Sequence, residues 1–145
     1  MPHIPGKLIS IEGGEGAGKT TVLQAIRDCL AQAGKTVICT REPGGTDVGE
    51  EIRRVLLTPG RTLDAGTELL LMFASRAQLV NALIKPALAR GDYIVTDRFT
   101  DASFAYQGGG RGIEASDIRA LETRFVGIQP DLTLLLDLSV DQGMA

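Results

Sequence analysis

Apolar residues along the chain alternate between short β-branched runs and longer segments in which they recur at helical spacing. The short runs predict strands, and the longer segments predict helices. The predicted strands are residues 7–12, 36–41, 93–97 and 131–138, and the predicted helices are residues 19–33, 47–57, 64–83 and 116–126. Because strands and helices alternate, the pattern predicts a parallel sheet in an α/β fold. The last strand is so hydrophobic that we expect it to be buried on both faces.

The ends of the predicted helices have their own signals. Gly34 ends the first helix, and Asp47 with Glu50 forms a start that resembles a capping box. Pro86 predicts that the third helix ends or kinks before it. The last helix is expected to turn its apolar side chains inward, and these are Ile118, Leu121 and Phe125.

Three segments rich in glycine and charge follow predicted strands. They are Gly13–Thr20, Glu42–Thr46 and Asp97–Ser103. In a parallel sheet the carboxyl ends of the strands share one edge, and ligands bind beyond that edge. We therefore expect these segments to meet at one site.

Length, net charge and cysteine content limit the kinds of protein and partner that the sequence can represent. The 145 residues suit one domain, expected over residues 1–145, and the net charge of −3 gives no reason to expect nucleic acid or anionic membrane as a partner. Cys29 and Cys39 are expected to be buried, reduced thiols, and a catalytic imidazole is not expected because His3 is the only histidine. The chain shows no signal peptide and no membrane-spanning run, which makes the cytoplasm the expected compartment.

Residues 13–20 fit the pattern G-x-x-x-x-G-K-[ST] between a predicted strand and a predicted helix. Glycines let successive N–H groups point at one anion, and the helix N-terminus adds positive potential. Lys19 would reach the β- and γ-phosphates, and the Thr20 hydroxyl would bind Mg²⁺. The alternative is a strand-to-helix turn without a ligand. The residues predicted to bind a nucleoside triphosphate, which the resemblance described below implies is ATP, are Gly13, Gly14, Glu15, Gly16, Ala17, Gly18, Lys19, Thr20 and Thr21.

A second phosphate group would need its own cations. Asp97 ends a strand, where an acid often holds Mg²⁺ or its water, although an acid in this position is often only a helix cap or an ion-pair partner. Arg98 and Arg53 are candidate phosphate ligands. Each arginine could equally be a solvated surface residue. Arg76 lies where it could donate to a base carbonyl, although spacing alone favours packing at the rim of the core. Residues 106–110 read as a mobile loop, and its three glycines leave a phosphate cradle and a hinge both open.

Four motifs in this order resemble bacterial thymidylate kinase. They are EGGEGAGKTT (12–21), TREPGGT (40–46), DRF (97–99) and AYQGGGRG (105–112), and the resemblance covers about residues 7–140. It implies a three-layer α/β/α fold of the P-loop NTPase type, with four strands here and the family's last strand missing. It further implies transfer of the ATP γ-phosphoryl group to dTMP with Mg²⁺, and a homodimer.

The resemblance also assigns roles by position. It implies catalytic roles for Lys19, Arg98, Asp97 and Glu15, and it implies that Thr20 and Asp97 bind the metal. Arg53 and Arg98 would hold the dTMP phosphate, Glu15 the sugar hydroxyl and Arg76 the thymine carbonyl. Tyr106 would crowd the 2′ side of the sugar, while the position that covers the thymine ring falls at Met72 or at Phe73. The residues that it implies for dTMP binding are Glu15, Glu42, Pro43, Arg53, Met72, Phe73, Arg76, Arg98, Ser103, Tyr106 and Gln107.

Family members continue beyond residue 145 with a lid that carries an arginine. The resemblance therefore implies that this chain is truncated at its C-terminal side, and a fragment that binds nucleotides without efficient turnover stays an alternative. Another nucleoside monophosphate kinase is a second alternative. A regulatory GTPase is disfavoured because no N-K-x-D string occurs in the chain.

Overall fold

A computed structural model describes residues 4–14 and 16–137 as an α/β fold. Its strands are β1 (Leu8–Gly13), β2 (Val37–Arg41), β3 (Tyr93–Asp97) and β4 (Leu132–Leu136). Its α-helices are α1 (Lys19–Gln32), α2 (Asp47–Leu57), α3 (Ala65–Leu79), α4 (Lys85–Ala89), α5 (Thr100–Ser103) and α6 (Ala115–Leu121). Three π-helical segments complete the list, Val80–Ile84, Phe104–Gly109 and Glu122–Val126.

The four strands form one parallel sheet in the order β2-β3-β1-β4, which confirms the predicted architecture. The central strands β1 and β3 are hydrophobic on both faces, and Leu8, Ile11, Ile94 and Val95 are fully buried. The register aligns Ile11 with Asp97, so both strands end at the same edge of the sheet. The strand at 93–97 has the predicted bounds, and the other strands differ from their predicted bounds by one or two residues.

The chain divides into two compact units. Unit 1 comprises Met1–Arg41, Ile84–Phe99 and Gln129–Ala145, and within its described residues it contains the sheet, α1 and α4. Unit 2 comprises Glu42–Leu83 and Thr100–Ile128, and it contains α2, α3, α5 and α6. Within the described residues, no helix is both long and apolar enough to cross a membrane.

The prediction that the fourth strand is buried on both faces is wrong. Leu132 of β4 is 50% exposed and Leu135 is 68% exposed. The physical reason is position, because β4 lies at the edge of the sheet and pairs with β1 alone among the described strands. Hydrophobicity predicted the strand correctly but not its place in the sheet order.

The prediction of two buried thiols is also wrong. Cys29 and Cys39 are both free and exposed. Cys29 lies on α1, none of whose residues reaches full burial, and Cys39 lies on β2 at the other edge of the sheet. An apolar segment therefore did not guarantee a buried position for these residues.

Helix α2 has its predicted bounds, but its N-cap lies one residue before the predicted one. Thr46 is the N-cap, and its Oγ1 accepts a hydrogen bond of 2.9 Å from the Gly49 N–H. Glu50 reaches back to accept from the Gly45 N–H at 3.0 Å. Side chains thus satisfy two backbone N–H groups at this helix end, in a manner similar to a capping box. The cap is Thr46 in place of Asp47, and the returning contact of Glu50 goes to Gly45, the residue before the cap.

Two π-helical segments explain further differences from the predicted pattern. The segment Glu122–Val126 widens the end of the last helix, so Val126 is buried and Phe125 is 54% exposed, against the prediction. Another such segment, Val80–Ile84, interrupts the third helix before Pro86, which lies in α4 near its first residue. A helix of wider turn changes which residues share a face, and a period of 3.6 residues cannot anticipate it.

Candidate functional site

The loop between β1 and α1 belongs to unit 1 and has the local geometry of an anion cradle. Gly18 precedes α1 with φ 88° and ψ 25°, a left-handed conformation that favours glycine. No described side chain caps the N-terminus of α1, and its first turn carries no acidic residue. The N–H groups of that turn, and the positive potential of a 14-residue helix, therefore meet no competing carboxylate within α1.

Lys19 and Asp97 face each other beside this loop. The Lys19 Nζ donates a hydrogen bond of 3.0 Å to the Gly13 carbonyl and lies 4.0 Å from the Asp97 Oδ1. The Asp97 Oδ1 is buried and has no hydrogen-bond partner among the described residues. A buried carboxylate oxygen without a hydrogen bond is costly, and such oxygens often mark places where an ion or a water molecule binds. The end of β3 thus offers a hard oxygen ligand next to the phosphate loop.

Arg98 has an unusual backbone conformation. Its φ is 74°, the left-handed region that non-glycine residues rarely adopt. Hydrogen bonds hold this turn, because the Arg98 N–H donates to Ile11 O at 2.9 Å and the Thr96 Oγ1 donates to Arg98 O at 2.9 Å. The next N–H, of Phe99, donates to the buried carboxylate of Glu12 at 2.8 Å. Backbone strain of this kind is concentrated at functional sites.

We expect Arg98→Gly to be more stable than Arg98→Ala by about 1 kcal/mol, because glycine alone adopts the left-handed turn without steric cost. The alanine variant is the matched control, since both changes remove the guanidinium. The measurement is urea unfolding of both variants at one pH. Equal midpoints and slopes would show that the turn stores no strain.

In unit 2, a buried ion pair joins the segment after β2 to α3. The Arg76 Nε donates to both carboxylate oxygens of Glu42, at 2.5 and 2.8 Å, and the Arg76 Nη1 donates to the Ser103 Oγ at 2.9 Å. Arg76 and Ser103 are 0% exposed and Glu42 is 4% exposed. The sequence prediction placed Arg76 at the rim of the core unless it bound a base, yet its side chain is fully buried.

Burial raises the pKa of the Glu42 carboxyl above its ordinary value of 4.5, while the charge and the hydrogen bonds of Arg76 act in the opposite direction. Desolvation is the larger cause. The pair therefore depends on Arg76, whose removal would leave a carboxylate inside the protein without its main counter-charge.

The turn that carries Glu42 is fixed by its neighbours. The Glu42–Pro43 peptide bond is cis, and the Arg53 Nη1 donates to the Pro43 carbonyl at 2.8 Å. The Gly44 N–H donates to the buried Ser75 Oγ at 3.0 Å. Gly44 has a φ of 131°, a conformation that strains any residue with a side chain, and a Cβ there would also come within 2.5 Å of the Glu50 Oε1. These contacts hold Arg53, Pro43 and Glu42 in one arrangement.

Gln107 lies on the π-helical segment of unit 2, where a mobile loop was predicted; that prediction is wrong, because residues 104–109 are helical. Its side chain is buried, and its Nε2 donates to the Glu68 Oε1 at 2.7 Å. The Gln107 Oε1 is buried with no hydrogen-bond partner in the described part of the chain. Arg111 binds the other oxygen of Glu68 at 2.8 Å and the Leu63 carbonyl at 2.8 Å.

Comparison with known proteins decides the family. The family model described as thymidylate kinase matches residues 11–145. The chain belongs to the thymidylate kinase family. It is 56% identical over 140 residues to a thymidylate kinase of Chromohalobacter salexigens and 52% identical over 139 residues to one of Nitrosospira multiformis. It also resembles the crystal structure of thymidylate kinase from Ehrlichia chaffeensis, with a TM-score of 0.87 and 36% identity.

These thymidylate kinases are longer than this chain. The alignments cover 94% and 95% of the chain but 66% and 68% of the two curated relatives. The structural match covers 97% of this chain and 77% of the Ehrlichia protein. The chain thus spans about two thirds of the length of the curated thymidylate kinases that it matches.

The described residues predicted for the thymidylate kinase site fall into two groups. Unit 1 holds the phosphate loop with Asp97 and Arg98, and unit 2 holds the remaining residues predicted for dTMP. Glu15 lies outside the described residues. Sequence reasoning missed Glu12, Glu68 and Arg111, which hold predicted site residues or their neighbours in place. Glu12 and Arg111 lie within two of the motifs that carry the resemblance, but no role was assigned to them, and no motif includes Glu68. Their roles depend on partners that are 87, 43 and 39 residues distant along the chain, respectively.

Proposed function

We propose that this chain, as part of a thymidylate kinase, transfers the γ-phosphoryl group of ATP to dTMP and yields dTDP. One observation carries the proposal. At an N-terminus of α1 that no described side chain caps, Lys19 lies 4.0 Å from a buried Asp97 oxygen that has no hydrogen bond. This arrangement is complementary to a polyphosphate and its cation, because it combines a helix N-terminus without a side-chain cap, one ammonium and one hard oxygen ligand.

The phosphate loop would bind ATP through its backbone amides, and Lys19 would contact the β- and γ-phosphates. We propose the same ATP-binding residues as those predicted from the sequence, and for Glu15 the predicted role of binding the sugar hydroxyl of dTMP. No covalent intermediate is required, since phosphoryl transfer depends mainly on positioning and on stabilisation of negative charge.

The residues present fit Mg²⁺. Thr20 stands in the first turn of α1 and Asp97 supplies a buried oxygen, so both proposed ligands are the oxygen donors that this ion prefers. Within residues 4–14 and 16–137 no three His, Cys, Asp or Glu residues gather to hold a metal. We propose that the ion is held through one carboxylate together with substrate phosphates. When bound, Mg²⁺ would neutralise charge on the transferring group.

For dTMP we propose that Arg53 and Arg98 bind the phosphate and that Arg76, Ser103 and Gln107 meet the base. Two contacts in unit 2 support the proposed contacts with the base. Arg76 and Gln107 are buried polar residues, and hydrogen bonds from Arg76 to Glu42 and from Gln107 to Glu68 fix the direction of each side chain.

Other residues of unit 2 would complete the dTMP site. Phe73 is 3% exposed and its ring centroid lies 4.8 Å from the Arg76 guanidinium, whereas Met72 is only half-buried. This favours Met72 as the residue that covers thymine. Tyr106 is 44% exposed and would limit space at the 2′ side of the sugar, while Glu42 and Pro43 would support the site from the turn after β2.

The remaining proposals follow from the family. We place residues 1–145 in a single kinase domain that includes both units. The protein would work in the cytoplasm, where its nucleotide substrates are found, and would form a homodimer.

The test is titration calorimetry of dTMP and of Mg-ATP, with a coupled assay of ADP release in parallel. The assay compares dTMP with dUMP, dCMP, AMP and UMP. Binding and turnover selective for dTMP are expected of a complete site. Binding of dTMP without turnover would indicate a nucleotide-binding fragment. Preference for another monophosphate would show that the protein is a kinase for that nucleotide. The absence of binding to any of the nucleotides would contradict the proposal.

A further inference from the structure

We propose that Glu68 sets the orientation of the Gln107 amide and so makes the site prefer a pyrimidine base that carries a proton on N3. This inference rests on the proposed function, which brings the base to Gln107. Glu68 would be a positioning residue that determines specificity through Gln107. Arg111 would in turn hold Glu68.

The hydrogen bond to Glu68 determines which way the Gln107 amide points. A glutamine side chain can present either its carbonyl oxygen or its NH₂ group, and the two are nearly equal in shape. An ionised carboxylate only accepts hydrogen bonds, so the Glu68 Oε1, at 2.7 Å, can pair only with the Gln107 Nε2. The Gln107 Oε1 is then the end that is left without a partner among the described residues.

Glu68 itself is also held in place. Arg111 donates to the Glu68 Oε2 at 2.8 Å and to the Leu63 carbonyl at 2.8 Å. The carboxylate is therefore fixed by a contact on each oxygen. The backbone at Gln107 is fixed too, because its carbonyl accepts from the Ile113 N–H at 3.1 Å.

The bases differ in their chemistry at N3. Thymine and uracil carry N3–H, a donor, whereas cytosine presents an unprotonated N3 that only accepts. A buried carbonyl oxygen that lacks a donor gains a hydrogen bond from N3–H, and it faces a lone pair when the base is cytosine. A site with a fixed polar group discriminates strongly against a ligand that leaves the group unpaired. The fixed Gln107 Oε1 thus favours dTMP and dUMP over dCMP.

The test is Glu68→Gln in the 145-residue chain. An amide at position 68 can donate as well as accept, so Gln107 is free to turn and to offer its NH₂ group to cytosine. Calorimetry would give Kd values for dTMP, dUMP and dCMP. We expect the preference for dTMP over dCMP to fall about tenfold, the value of one hydrogen bond, while the dTMP to dUMP ratio stays unchanged. Glu51→Gln, an exposed glutamate on α2, is the matched control and should change neither ratio.

If Glu68 had a purely structural role, Glu68→Gln would weaken the binding of all three nucleotides by the same factor. That result, or any other result that leaves the ratio of the dTMP and dCMP affinities unchanged, would overturn this inference but not the proposed function. A wild-type chain without preference for dTMP over dCMP would overturn the proposed function and the inference with it. If Glu68→Gln does not fold, Arg111→Met removes the second contact on the carboxylate. That variant should lower the same ratio by a smaller factor, and an unchanged ratio would again contradict the inference.

Discussion

Replacing Arg76 by alanine should lower the free energy of unfolding by about 3 to 5 kcal/mol, since it leaves the Glu42 carboxylate buried without its partner. The side chains of Arg76 and Glu42 are 0% and 1% exposed, so in the folded protein the Glu42 carboxylate has almost no contact with solvent that would compensate for the lost ion pair. The same change should weaken dTMP binding more than ATP binding. Chemical denaturation and calorimetry measure the two effects, and equal loss of both ligands would assign Arg76 to packing alone.

The loss of stability in Arg76→Ala should depend on pH. Burial raises the pKa of Glu42, and the variant removes the charge that opposes this rise. The folded protein then holds the proton more tightly than the unfolded chain does. Stability is therefore retained below the ordinary pKa of 4.5 and is lost as pH rises through the higher folded value. Denaturation at a series of pH values should show a larger deficit in neutral than in acidic solution.

The double variant Arg76→Met, Glu42→Gln provides the control for this prediction. It removes both charges and keeps similar volumes, so it should be more stable than Arg76→Ala. Its stability should also lose the pH dependence that Glu42 causes. A double variant as unstable as Arg76→Ala, with the same pH profile, would show that the deficit comes from lost packing.

Lys19→Ala should abolish measurable use of ATP, with a loss of about 100-fold or more in turnover or affinity. Lys19 donates to the Gly13 carbonyl and faces Asp97, so its removal takes the only side-chain cation proposed for the β- and γ-phosphates. The stability change should be small, because an ion pair at 4.0 Å with one partner a third exposed contributes little. Mg-ATP titration and the ADP-release assay measure the effect.

Lys7→Ala is a suitable control for Lys19→Ala, since Lys7 is an exposed lysine that immediately precedes β1 in the same unit. It should bind Mg-ATP as the wild type does. Near-normal ATP use by Lys19→Ala would contradict the phosphate-loop assignment, and retained dTMP binding in that variant would show that the second substrate is bound independently.

The fold was largely predictable because its signals are local. The β-branched runs predicted four strands, and their alternation with helices predicted that the strands are parallel. The wrong predictions of burial at Cys29, Cys39 and Leu135 have a common cause. Burial at these positions depends on which strand lies at an edge of the sheet and on what covers a helix. Phe125 failed for a different reason, because a π-helical segment shifted the face that it occupies.

The candidate site was predictable where a motif carries its own mechanism. The phosphate loop needs only a strand, glycines, a lysine and a helix start, and all of these are contiguous. The second group of residues was identified through resemblance, and its supporting contacts were not. Glu68 and Arg111 act through partners that are distant in sequence. The sequence around Glu68 predicts only a glutamate on a helix and does not indicate a contact with Gln107. The left-handed turn at Arg98 likewise arises from tertiary hydrogen bonds.

The two exposed thiols affect how self-association of this chain must be measured. Cys29 and Cys39 both face solvent, so air oxidation can link two copies through a disulfide. Such a covalent pair would have the mass of a homodimer on a sizing column and would persist at dilutions that dissociate a reversible one. Preparations without a reductant would therefore give a false dimer, which a Cys29→Ser, Cys39→Ser chain would not form.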